Sequence, residues 1–337
     1  MANEFFTKSQ AGIESTPGTP VAAAKILVGQ AMVISTDTKL TFPEEQFGVR
    51  ARSRRAIAYE RMWMGTRVIN ECGFQNLLLP LLTGIKGSVA GAEQTSSQHD
   101  YLHTFTPSMT AAAGLNAPQA FTLQLGDDEQ AWRVPYCHTD RITLKGSMAQ
   151  DGGAAPVTME QGIFGRYIEE NAFTGSLSPE ASTPMNAKLS RLFLNTAWAS
   201  VGTTEVTDAL VDWTLEIIPN LHPRFRGAAA NYFNNVAEGI FDVTLALTLE
   251  SLLRDELLAS QQAGDLQVIQ LAVNGPQIGT GDTHNLTVNL SGQWEDVTPR
   301  ASSERGDNLA TLAFHPTWDI TASKMLEIFL TTDQSGF

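Results

Sequence analysis

The densest chemistry in the chain lies in "YCHTD", where Cys137, His138 and Asp140 stand almost side by side. A thiolate, an imidazole and a carboxylate are ligand types that zinc takes, but a closed zinc site needs four ligands. The only other cysteine is Cys72, and no second Cys/His pair stands at metal spacing. The remaining histidines, His99, His103, His222, His284 and His315, are scattered and read as loop or strand-end residues. "DDE" at 127–129 follows "LQLG" and reads as a hairpin tip rather than a cation cradle. "GTGDTH" opens like a dinucleotide loop, but His284 stands where the third glycine belongs and no βαβ unit surrounds it. No nucleophile elbow, P-loop or H-E-x-x-H pattern is present. The expectation is a protein that is not an enzyme, with no catalytic residues, cofactor or metal.

The basic run "VRARSRRAIAYER" is the other candidate. On a strand, Arg50, Arg52 and Arg54 share one side and Arg55 takes the other. The run is short and has no aromatic residue before Tyr59, unlike a nucleic-acid patch. It reads as a solvated edge strand or as a salt-bridge strip between subunits. The net charge of −14 argues against a broad grip on phosphates. That charge is uneven. Residues 1–170 carry 14 Lys+Arg against 17 Asp+Glu, and the remainder 8 against 19.

The elements that would position such residues are mostly strands. "FTLQL", "RITLKGSM", "DWTLEII", "FDVTLALTL", "LQVIQLAV", "NLTVNLSGQW", "NLATLAF" and "MLEIFLTT" alternate with a period of two and are rich in Thr, Val, Ile and aromatic residues. Helical patterning is confined to "FQNLLLPLL" (74–82) and "ESLLRDELLAS" (250–260), the latter with Leu253, Leu257 and Leu258 on one face. Most of the six tryptophans sit inside alternating runs and read as core. The longest apolar run is shorter than the roughly 18 residues of a membrane span, and with no basic stretch followed by an apolar core in the first residues no secretory signal is expected. Two cysteines are too few for a disulfide framework, so the expected compartment is the cytoplasm.

Both halves show strands, one short helix, more strands, a loop rich in Gly, Ser and Asp, and a further strand. The order points to an internal duplication without sequence identity. The expected division is an arm over 1–29, one unit over 30–170, a turn-rich linker over 171–187 and a second unit over 188–337. The stretch "KSQAGIESTPGTPVAAAKIL" (8–27) has no strong period. It has too little apolar content to offset its own ordering entropy. It is expected to order against a neighbouring subunit, burying Ile13, Val21, Ile26 and Leu27.

The sequence resembles the tail tube (major tail) proteins of long-tailed bacteriophages. The likeness rests on "AGIESTPGTPVAA", on "GFQNLLLPLLTG" followed by "HTFTP", on "APQAFTLQLGD" with "YCHTDRITLKGS", and on "DWTLEIIPNLHPRFRG". It implies a mainly β fold, a β-sandwich or β-barrel with short helices, whose strands join an inner barrel. It also implies rings stacked helically into a tail tube, located in the virion and made in the host cytoplasm. With two tandem units, three chains make a pseudo-hexameric ring; with one, six chains do. Implied partners are further copies of the chain, a tape measure protein, tail-tip and terminator proteins, and genomic DNA in transit through an acidic lumen. Arg50, Arg52 and Arg54 then join Ile13, Val21, Ile26 and Leu27 as candidate intersubunit contacts. The alternative is a β-sandwich virion module that binds a carbohydrate or a receptor.

Overall fold

The computed structural model describes residues 6–35, 37–46, 48–50, 53, 55–127, 129–148, 155–227, 230–250, 254–304 and 307–337. The fold is mainly β, as the alternating segments predict. The first half holds β1 (Lys8–Ile13), β2 (Lys25–Ile26), β3 (Thr38–Thr41), β4 (Ile57–Arg61), β5 (Trp63–Ile69), β6 (Ala92–Glu93), β7 (Tyr101–Phe105), β8 (Phe121–Gly126), β9 (Ala131–Ser147), β10 (Thr158–Gly165) and β11 (Glu169–Asn171). The second half holds β12 (Ser190–Asn195), β13 (Glu205–Val206), β14 (Leu210–Ile218), β15 (Leu221–Arg224), β16 (Asn235–Glu238), β17 (Asp242–Glu250), β18 (Gln267–Gln277), β19 (Thr283–Glu304), β20 (Asp307–Pro316) and β21 (Leu326–Thr332).

Two strands, β9 and β19, are long enough to exchange one set of partners for another along their length. The first part of β9 pairs with β8 and β11, and its later part with β10. The first part of β19 pairs with β18 and β21, and its later part with β20. Corners of this kind let one strand pass from one layer of a sandwich to the other. The β19 corner carries Gly292, where a Cβ would lie 2.2 Å from the His315 carbonyl oxygen. Only glycine fits there.

Pairings repeat between the halves. The ladders β1–β2, β1–β8, β8–β9, β9–β11, β9–β10 and β10–β5 match β12–β13, β12–β18, β18–β19, β19–β21, β19–β20 and β20–β17, all antiparallel. The match extends to a defect. Between β9 and β10 the register skips Asp140, and between β19 and β20 it skips Glu295. Each is the extra residue of a β-bulge. Helical turns over Phe74–Leu77, Leu78–Pro80 and Leu81–Ile85 occupy the place that the helix Arg254–Ala263 takes in the second half. That second helix lies a few residues later than its pattern suggests. Leu257 is buried, Leu258 is half-buried, and Leu253 lies outside the described residues.

The halves are also joined. β9 pairs with β14, and β7 with β21. One cluster of buried side chains runs from Ile69 and Leu144 through Trp213 and Leu247 to Leu330, across the expected boundary. Residues 171–187 are not a loose connection. Glu180 is buried, and bridges tie Pro179 to Ile26 and Pro184 to Gly73.

The arm differs most from expectation. Residues 8–13 form β1, paired along its whole length with β8 of the same chain, and Ala11 is fully buried. Glu14 fixes its end, accepting hydrogen bonds from Thr122 Oγ1 and the Tyr136 N–H, both at 2.8 Å. The period is invisible in the sequence because Ser9, Ala11 and Gly12 are small and the strand is buried on both faces. At Gly12 a Cβ would come within 2.3 Å of the Ala22 carbonyl oxygen, so the returning chain presses directly on β1.

Candidate assembly surface

Seven strands lie side by side in the order β5–β10–β9–β14–β17–β20–β19. Alternation divides their side chains. Ile142, Leu144, Trp213, Leu215, Leu245, Leu247 and Leu312 point into the core. The residues between them make the opposite face, where Glu216 sits directly across from Thr143 on one side and Thr244 on the other. Thr214, Thr248, Thr298 and Thr311 continue this carpet of short hydroxyl side chains.

The same face carries Glu160, Asp212, Glu216, Asp242, Glu250 and Asp296, against Arg141 and Lys145 among the described side chains. Arg141 is held by Glu160 at 2.9 Å. The face is therefore acidic, polar and short of large side chains.

The two edges of this run are unlike its interior. At one end, the later part of β19 pairs with β20 and has no ladder on its other side among the described residues. At the other end, residues 30–35 and Asp37 lie beside β5 without forming a ladder. The Gln30 N–H donates to the Val68 carbonyl and the Met62 N–H to the Asp37 carbonyl, and residues 31–35 between them are irregular. Val33 is 76% exposed and Ile34 40%.

Both ends of this segment are fixed by ion pairs. At the upstream end, buried Arg67 contacts buried Glu180 and donates from Nε and Nη2 to the Val28 carbonyl, while Glu180 accepts the Val28 N–H at 2.9 Å. Burial draws the Arg67 guanidinium down to about 10. At the downstream end, Asp37 accepts from Arg61 at 2.7 and 3.0 Å and from the Ile168 N–H. Burial works against its charge, but these hydrogen bonds prevail and hold its carboxyl below the usual range.

The expected contact residues are divided by the structure. Leu27 is buried and Ile13 packs on the same cluster, so this chain itself covers them. Val21 and Ile26 are half-buried along the arm. Within the chain, these positions lie against β8 and residues 178–180. Arg50 is exposed at a bend, since β4 begins only at Ile57, and Arg52 and Arg54 lie outside the described residues. The β19 edge and residues 31–35 were not singled out by sequence. The exposed pair Val33–Ile34 in "AMVIS" was the available signal.

Cys137 and His138 of "YCHTD" are packed into the interior. Cys137 is buried, and burial raises its thiol well above the ordinary value. His138 is buried with Nδ1 3.3 Å from the Thr83 carbonyl, and burial lowers its imidazole to about 4. A cavity of about 590 Å³ lies beside Tyr136 and His138. Its two carboxylates are committed to backbone N–H groups, Glu14 to that of Tyr136 and Glu238 to those of Asn116 and Ala117. No group of three or more metal-ligating side chains occurs among the described residues. The chain matches no protein-family model and no curated protein.

Proposed function

We propose that this chain is a self-assembling structural subunit whose two halves are copies of one unit, and that three chains close a ring of a tail-tube-like conduit. The observation that carries this reading is the β9–β14 ladder. It joins the last strand of the first half's inner run to the first strand of the second half's. Since six ladders recur in the two halves, a joint like this one can be made again between chains. Such a head-to-tail contact is heterologous and closes when its rotation returns to the start. Three chains, each with this seven-strand run, would supply 21 inner strands, more than the roughly 16–18 that leave a water-filled channel.

The acidic, threonine-rich face supports the conduit role. Turned inward, its carboxylates repel phosphates, whereas a basic lining would gain affinity with each phosphate neutralised. Negative-stain microscopy of the purified chain tests the reading. Rings or tubes support it, and discrete monomers at high concentration overturn it.

A further inference from the structure

We propose that residues 31–35 are an unfinished strand that folds against the later part of β19 of a second copy, with Ser35 directly opposite Thr298. This rests on the self-assembly reading and adds the interface and its register.

The register follows from the repeat. The skipped residues Asp140 and Glu295 align β9 with β19, which makes Thr143 the counterpart of Thr298. The same alignment carries β10 onto β20 and β5 onto β17, so Trp63 corresponds to Val243. Ile217 faces Val243, with Glu216 one residue before it. The β3–β4 pairing of Thr38 with Arg61 and the hydrogen bond from the Met62 N–H to the Asp37 carbonyl share one alignment, which extrapolates to Ser35 opposite Met64, and the Ser35 hydroxyl donates to the Met64 carbonyl. Ser35 therefore corresponds to Glu216. Within the chain, Glu216 pairs with Thr143. Between chains, Ser35 pairs with Thr298.

Burial agrees with this alignment. Met32 corresponds to Trp213, and both are buried. Ile34 corresponds to Leu215, which is 1% exposed, yet Ile34 is 40% exposed. The difference is the missing neighbour, because β14 has β9 beside it and no strand among the described residues pairs with residues 31–35 on that side. The tethers at Gln30 and Asp37 hold the segment near its place but leave its middle without a ladder. An incomplete edge strand is also a guard against uncontrolled pairing.

The test is a short thiol-reactive linker applied to full-length S35C/T298C protein. Directly opposed residues bring their Cβ atoms within about 4.5–5.5 Å, and native Cys72 and Cys137 are buried. Linked species should form a ladder ending at the ring size, and each single variant should stay unlinked. S35C/T248C places the second cysteine two strands further in, roughly 10 Å from β19, and should also stay unlinked. Assembled rings in which S35C/T298C fails to link, or links no better than S35C/T248C, would overturn the register and leave self-assembly standing. No assembly by the unmodified chain would overturn the proposed function and this pairing with it.

Discussion

Asp140 and Glu295 occupy the same place in the two halves, each the unpaired extra residue of a bulge where a long strand, β9 or β19, meets β10 or β20. The bulge sets which side chains face the core beyond it. Deleting either residue should slip the strand by one and invert its faces, abolishing cooperative unfolding in a thermal melt. Asp140→Gly and Glu295→Gly keep the residue count and should fold. Equal tolerance of both deletions would show that the two bulges do not set the register.

The Arg67–Glu180 pair should matter most when broken on one side. Glu180→Ala leaves a buried guanidinium without its charge partner, a loss of about 3–5 kcal/mol. The double variant R67M/E180M should recover most of that, though not all, because Val28 loses partners for both its N–H and its carbonyl. Denaturant unfolding measures both. A double variant no more stable than E180A would place the effect in Val28 rather than in the charge.

His138 gives the protein a defined acid sensitivity. Its folded value of about 4 lies below the ordinary 6.5 because burial disfavours the cation, despite the opposing hydrogen bond to Thr83. The unfolded chain therefore binds more protons between these values. Stability should fall as pH drops from about 6.5 to 4, by on the order of 3 kcal/mol from this residue. His138→Gln should flatten that part of the unfolding profile. An unchanged slope would assign the acid sensitivity elsewhere.

Gly12→Ala should disturb the arm, since the new methyl would meet the Ala22 carbonyl at 2.3 Å. A cost of about 1–3 kcal/mol is expected. Removing residues 1–24 should cost more, because it strips β1 from β8 and removes Glu14 from Thr122 and Tyr136. A truncated chain as stable as the intact one would show that the arm does not support β8.

Much of the fold is legible in the sequence, and the reasons are local. "DWTLEII" and "FDVTLALTL" alternate because one face meets the core and the other does not. The arm escapes this logic because Ser9, Ala11 and Gly12 pack by being small. Pro80 suggests a short helix, yet turns continue to Ile85 in a segment buried throughout. The assembly edges depend on which distant strands pair, as β9 does with β14. Such contacts leave no periodic trace.

The acidic face should tolerate passing DNA without holding it. Glu216→Lys, Asp242→Lys and Glu250→Lys together should create DNA binding that weakens steeply with salt, its logarithmic slope rising by about 0.9 for each phosphate contacted. The unaltered chain should show none. Salt-sensitive binding by the unaltered protein would contradict an inward acidic face.

On the proposed function, each chain supplies two equivalent units to a closed ring. Mass measurement of isolated rings, combined with end-on electron micrographs, tests it most directly. Three 36.5-kDa chains per ring, with a near-sixfold inner wall, is the predicted result. Six chains per ring, or a chain that stays monomeric at every concentration, would contradict it.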